Sequence, residues 1–280
     1  MRLLIILIFW TLSAASTAIY AAQSDADKVY TVGVVPQFEV RKIHTIWRPT
    51  LDLLEEKTGY RFILRGSASI PEFEQEFIEG KFDFAYMNPY HLVIANEHAG
   101  YIPLVRDHGH KLHGVLVVKK DSGITDPSQL KGKTLAFPSP NALGASLQMR
   151  QELHDNFGIN FTSNFVKTHD SVYLNVLLNE ADAGGGVQKT LNSQKDQYKE
   201  MLRVIYKTTG VEPHPFAALP EVPVEVRNRV RDALLEIGQS KEGRKLLAEI
   251  PINSIGPARM DDYLPLKLLN LNRFYVEPHQ

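Results

Sequence analysis

Leu130–His154, LKGKTLAFPSPNALGASLQMRQELH, is the stretch whose reading decides the fold. Thr134–Phe137 is a short apolar run, a Pro/Ser/Asn turn follows, and Leu143, Leu147, Gln151 and Leu153 then set up a helical pattern. A strand therefore feeds directly into a helix N-terminus. The first turn of a helix has four backbone N–H groups without intrahelical partners, and the aligned peptide dipoles add partial positive charge there. Such a junction suits an oxyanion. Ser139 or Asn141 is expected to cap the helix, Pro140 suits its first position, and Gly144 removes a side chain where a ligand would approach the backbone. An isolated junction of this kind is most simply a well-capped helix. Its recurrence in the chain is what gives it functional weight.

The pattern occurs twice more. Phe82–Met87 (FDFAYM) reads as a strand, followed by Asn88 as an N-cap and Pro89 at the first position of a helix that runs to about His98, before Gly100. Tyr86 and Tyr90 flank this junction, with hydroxyls able to donate to an oxyanion and rings able to wall it. Asn164–Lys167 reads as a short strand, and Thr168-His169-Asp170-Ser171 opens a helix with Val172, Val176 and Leu177 inward. Thr168 or Asp170 can cap it and Ser171 can donate. His169 titrates near physiological pH and offers a charge-assisted hydrogen bond to a bound oxyanion.

Outward from these junctions the chain alternates strand and helix. Val29–Val35 is a β-rich run. Ile43, Ile46, Trp47, Leu51 and Leu54 then fall at helical spacing up to Gly59, with Pro49 expected to kink or shorten that helix. Tyr60–Leu64 is a strand and Pro71–Gly80 a short helix; Tyr101–Val105, Gly114–Lys119 and Leu202–Tyr206 are further strands. The order predicts an α/β fold with a mostly parallel sheet. Gly184-Gly185-Gly186 is read as a tight turn, Thr209–Phe216 as a chain crossing, Val224–Ile237 and Lys241–Glu249 as helices, Tyr263–Leu271 as a last helix and Val276–Gln280 as a loose tail.

The 280 residues carry no cysteine and a formal net charge of -1, enough chain for one large or two medium domains without a broad basic field. Nucleic acid is thereby disfavoured as a partner, and an anion would be bound locally. Met1–Ala22 reads as a secretory signal peptide, with Arg2 before the apolar Leu3–Leu12 and small residues near Ala18 and Ala21. The mature protein is expected to be soluble, exported and freely diffusing, as a monomer. Asp107–His113 holds His108, His110 and His113, whose spacing matches no recognised metal motif, so no metal site is expected. No GxSxG, HExxH or GxxxxGK[ST] motif occurs, and the chain is read as a binding protein with no cofactor, not an enzyme.

The segments GVVPQFEVRKIHTIWRPTLDLLEEKTGYRF, GKFDFAYMNPYHLVIANEHAGY, LKGKTLAFPSPNALGASLQMRQEL and THDSVYLNVLLNEADAGGGV resemble the periplasmic phosphate/phosphonate/phosphite-binding proteins of ABC importers, over about residues 28 to 250. The resemblance implies a two-lobed solute-binding fold of type II-like form, each lobe a mixed sheet flanked by helices, with the ligand cleft between them. It implies one lobe of residues 28–116 plus 215–280 and another of 117–214. Carried over by position, ligand contacts fall on Gln37, Tyr86, Asn88, Tyr90, the turn Ser139–Gly144 (with Asn141, Ala142 and Leu143) and His169, beside Asp170 and Ser171. Relatives often have Gly-Pro where this chain has Asn88-Pro89, and Ser-Thr-Ser-Gly where it has Pro140–Gly144, which leaves more of the binding to backbone N–H groups. The expected ligand is phosphate or a close analogue, such as phosphite or a small phosphonate, and not an aminoalkyl phosphonate. The expected partner is an ABC permease. A sensor kinase in the inner membrane is the alternative partner, and metal binding through the histidine loop is the remaining alternative function.

Overall fold

The computed structural model describes residues 28–278. The signal peptide read at Met1–Ala22 lies outside the described residues. Among them no helix is long and apolar enough to cross a membrane.

β1 (Val29–Val34) leads into α1 (Val40–Thr58), which buries Ile43, Trp47, Leu51 and Leu54. Gly59 ends the helix in the left-handed conformation, φ 74°, and returns its N–H to Glu55 O. Pro49 does not shorten it, contrary to one expectation. Pro49 and Thr45, the residue whose carbonyl loses its helical donor, are both exposed, where water can replace the missing bond. β2 (Arg61–Arg65), α2 (Ile70–Ile78), β3 (Phe84–Tyr86), α3 (Pro89–Ala99) and β4 (Ile102–Asp107) follow.

The chain then crosses to β5 (Gly114–Lys119) and β6 (Thr134–Phe137). A π-helical turn, Leu143–Leu147, runs into α4 (Gln148–Phe157), and β7 (Thr162–Phe165), α5 (His169–Leu177), β8 (Ala183–Val187), α6 (Gln188–Asn192), α7 (Asp196–Met201) and β9 (Leu202–Lys207) complete this half. A return crossing leads to β10 (Pro215–Ala218), α8 (Val224–Ile237), α9 (Lys241–Glu249) and β11 (Ile255–Pro257).

The strands form two mixed sheets, ordered β11-β4-β10-β3-β1-β2 and β7-β6-β8-β5-β9. β1, β2 and β3 run parallel, as do β6, β7 and β8, while β10 and β5 pair antiparallel with their neighbours. The result is a two-lobed α/β protein. Its two crossings are tied where Leu112 and Val211 exchange backbone hydrogen bonds of 2.8 and 3.0 Å. The sheets change over between Asp107 and Gly114. β5 lies wholly in the second sheet, so a break after residue 116 would cut through a strand that pairs with β8 from Gly114 onward.

Three further readings are corrected. Gly184–Gly186 lie in the strand β8, not in a turn, because neighbours press on it. A Cβ on Gly184 would sit 2.6 Å from Val172, on Gly185 1.9 Å from Ala145 O, and on Gly186 2.1 Å from the Tyr173 hydroxyl. The helix expected at Tyr263–Leu271 is a series of 3-10 turns, Met260–Asp262, Leu264–Leu269 and Leu271–Arg273, broken by Asn270 at φ 51°. The tail is not loose at Val276, where Asn141 binds its backbone, while His279 and Gln280 lie outside the described residues.

Candidate functional site

All three strand-to-helix junctions meet in one cavity between the lobes. It is lined by Val35, Gln37, Ile70, Asn88, Leu112, Ala142, Leu143, Gly144, Ala145, His169, Val187 and His214. At about 20 Å³ it has room for little more than one water molecule. Among the described residues no acidic side chain lines it.

The π-helical turn supplies the donors. Ser146 and Leu147 return their N–H groups to Ala142 O, but the amides of Leu143, Gly144 and Ala145 have no acceptor among the described residues. The cap is Ala142, without a side-chain bond, so neither Ser139 nor Asn141 caps this helix and Pro140 is not its first residue. An uncapped start leaves these donors for a ligand. Two glycines bring the turn into place: a Cβ on Gly114 would lie 1.8 Å from Gly144 O, and one on Gly185 1.9 Å from Ala145 O.

At α3 the capping expectation is met. Asn88 Oδ1 accepts His91 N–H at 2.8 Å, and Asn88 Nδ2 donates across the cleft to Asn141 O at 3.2 Å. At α5 Thr168 Oγ1 accepts Ser171 N–H at 3.1 Å. His169 is buried with Nδ1 3.3 Å from Thr190 Oγ1, which also meets the Tyr173 hydroxyl at 2.8 Å. Burial holds the His169 pKa down at about 4, so the ring is neutral at pH 7, and the charged donor expected from its residue type is not the resting form.

His214 was missed in the sequence. It sits between Pro213 and Pro215 in the return crossing, where prolines fix the backbone, and that setting for a lone histidine was the available signal. Gln37 Nε2 donates to His214 Nε2 at 2.9 Å, and the imidazole stacks on Tyr86 with ring centroids 5.4 Å apart. Burial, aided by His91 and His169, lowers its pKa to about 3. Leu112, Val187 and Ala145 complete the wall and carried no chemical signal of their own.

Other expected contacts lie off the cavity. Tyr86 donates its hydroxyl to Ile250 O at 3.3 Å, and burial raises its pKa. Tyr90 packs edge-on against Tyr275. Ser139 Oγ is buried and has no hydrogen-bond partner among the described residues. Asn141 turns its amide to Glu74 and Val276. Asp170 is exposed and accepts from Gln194 at 2.6 Å, and Ser171 Oγ pairs with Thr168 Oγ1. The three loop histidines diverge: His108 meets Pro257 O, His110 meets Asp107 and His113 meets Thr208 O, each at 2.9 Å. Among the described residues no group of three or more His, Cys, Asp or Glu side chains could hold a metal ion.

A family model described as the periplasmic substrate-binding protein of the ABC phosphonate transporter matches residues 32–263. Among solved structures, the chain is similar to a binding protein component of an ABC phosphonate transporter from Pseudomonas aeruginosa. The TM-score is 0.78 at 18% identity, over 90% of this chain and 89% of that one. It is also similar to PhnD1 from Prochlorococcus marinus, solved in complex with methylphosphonate. Here the TM-score is 0.80 at 15% identity, over 88% of this chain and 98% of that one.

Proposed function

The chain belongs to the periplasmic substrate-binding proteins of ABC phosphonate transporters, and from that premise we propose that its interlobe cavity captures a single phosphorus oxyanion: phosphate, phosphite or a small phosphonate without an ammonium group. Membership in that family implies a transport component rather than an enzyme, a periplasmic location and a membrane permease as partner. The observation that carries the ligand reading is the row of unpartnered amides at Leu143, Gly144 and Ala145 beside His169, in a cavity that no carboxylate lines.

Backbone donors at a helix start complement the tetrahedral array of oxyanion oxygens and bring the helix dipole to bear on its charge. Thr190 Oγ1 gives its one proton to Val187 O at 2.9 Å, so His169 Nδ1–H donates to Thr190, and Nε2 of this cavity-wall ring becomes a donor when a bound oxyanion draws a second proton onto the imidazole. His214 is held by Gln37 with its proton on Nδ1. An aminoalkyl phosphonate would bring an ammonium group to a wall with no carboxylate to receive it, and an unpaired buried charge is costly. The lobes would part to admit the ligand and close around it, with the crossings at 108–113 and 208–214 as the hinge.

A thermal-shift panel tests this on the mature protein after refolding to strip ligand. It contains phosphate, phosphite, methylphosphonate, aminoethylphosphonate, arsenate and sulfate. A ligand at about 100 times its Kd adds roughly 2.7 kcal/mol, a plain rise in Tm. A rise with a phosphorus oxyanion and none with sulfate is expected. Binding of aminoethylphosphonate without phosphate, phosphite or methylphosphonate would overturn the reading.

A further inference from the structure

The oxyanion cavity adjoins a larger chamber of about 240 Å³, and the two share Gln37, Leu112, Val187 and His214. Among the described residues the chamber wall carries Lys111, Lys189 and Lys207 together with His110 and His113, and no acidic side chain. The lysines come from separate parts of the chain. Lys111 lies in the outgoing crossing, Lys189 in α6 just after β8, and Lys207 at the end of β9. The fold, not a local run of charge, assembles them.

Their charges are unequally compensated. Lys111 pairs with Glu212, a carboxylate that also receives Arg106. Lys189 donates to a neutral acceptor, Ala248 O, at 3.2 Å, and neither Lys189 nor Lys207 forms an ion pair among the described residues. Two ammonium groups without a counter-charge thus line a chamber continuous with the oxyanion cavity. A ligand arm ending in an ammonium would meet like charge there, and a neutral alkyl arm would leave both lysines without a partner. A carboxylate would gain charge-assisted hydrogen bonds from either.

We propose that this chamber holds the second anionic group of the ligand, which is a phosphonate whose organic arm ends in a carboxylate. The phosphonate oxygens sit at the π-helical turn and the carboxylate at Lys189 and Lys207. This rests on the oxyanion reading above and names the substrate class of that same site.

Calorimetric titration of the mature protein at low salt with methylphosphonate, propylphosphonate, 3-phosphonopropionate and 2-aminoethylphosphonate tests it. The carboxylate compound is expected to bind about tenfold tighter than propylphosphonate, a difference of about 1.4 kcal/mol. In a Lys189→Gln/Lys207→Gln double variant that ratio falls to about one. Because both lysines are exposed, the ratio in the unaltered protein also shrinks as salt is raised. If methylphosphonate binds but the carboxylate confers nothing, or the aminoethyl compound is preferred, the chamber assignment is overturned while the oxyanion reading stands. If none of the four binds, this inference is overturned, and titration with phosphate and phosphite decides whether the oxyanion reading falls with it.

Discussion

Asn141 holds the main chain of Val276 by both of its polar groups: Nδ2 donates to Val276 O at 2.6 Å, and Oδ1 accepts Val276 N–H at 3.0 Å. The same Nδ2 reaches Glu74 Oε2 at 3.1 Å, and Glu74 Oε1 lies 2.9 Å from His91 Nε2 in a fully buried pair. Arg150 reinforces the strap, donating to Pro140 O and to Phe274 O at 2.8 Å each. The C-terminal segment is thereby fastened across the start of the π-helical turn. The amide that recommended Asn141 as a ligand contact is committed to joining the lobes.

Replacing Asn141 by alanine removes partners from Glu74 and from both backbone groups of Val276. Buried polar groups left unpaired cost about 1 to 3 kcal/mol. We expect Asn141→Ala to fold, to unfold at lower urea, and to expose residues 274–278 to faster proteolysis. Unaltered urea midpoint and proteolysis would show that the strap contributes nothing.

His169→Ala acts by a different route, since its ring lines the cavity and, among the described residues, hydrogen-bonds only to Thr190. A hydrogen bond to a charged group contributes about 1.5 to 3 kcal/mol, roughly 10- to 100-fold in affinity. Calorimetry should show oxyanion affinity falling by that range in His169→Ala, and by less in Asn141→Ala. The reverse order would move the site from α5 to the C-terminal strap.

The two buried histidines set a pH dependence of stability. Unfolded, each titrates near 6.5, whereas in the fold His169 is lowered to about 4 and His214 to about 3. Between those values the unfolded chain binds protons that the folded chain does not, so stability is full above about pH 6.5 and is lost as pH falls toward 4 and 3. For His169 the loss is on the order of 3 kcal/mol. Urea midpoints followed from pH 7 to pH 4 should decline, and His214→Gln should flatten the decline. A bound oxyanion favours the charged ring, so its presence should flatten it too.

The fold was legible where local chemistry and tertiary packing agree. Asn88-Pro89 reads as a cap and a first helical residue, and both groups do those jobs. Gly59 and Gly100 read as stops and are left-handed stops. Reading failed where a residue's role is set by something distant in sequence. Ser139 and Asn141 look like caps, but the turn after them is π-helical and starts at Leu143, and Asn141 is claimed by a segment 135 residues away. The three junctions read as candidate anion sites, and local sequence holds no signal for which of their side chains turn inward. Tyr86, Tyr90, Asp170 and Ser171 are on the right elements and off the cavity, whereas His214 reaches it only through the return crossing.

The same dependence on distant backbone makes two glycines the sharpest test of the site. Gly114 and Gly185 lie in paired strands, β5 and β8, and each passes under the π-helical turn at a carbonyl, Gly144 O and Ala145 O. Neither contact ends on a flexible side-chain tip. A methyl group at 1.8 or 1.9 Å from a backbone oxygen forces the turn away from the sheet and with it the amides of Leu143, Gly144 and Ala145. Overpacking of this kind costs about 1 to 3 kcal/mol. Gly114→Ala and Gly185→Ala should therefore lower Tm and weaken oxyanion binding more than their stability loss alone explains. Gly132→Ala is the control. Its φ of +75° strains an alanine, but nothing lies within 4 Å of the added carbon, so it should lower Tm and leave affinity unchanged. If Gly185→Ala binds phosphate and methylphosphonate as tightly as the unaltered protein, the π-helical turn is not where the oxyanion sits.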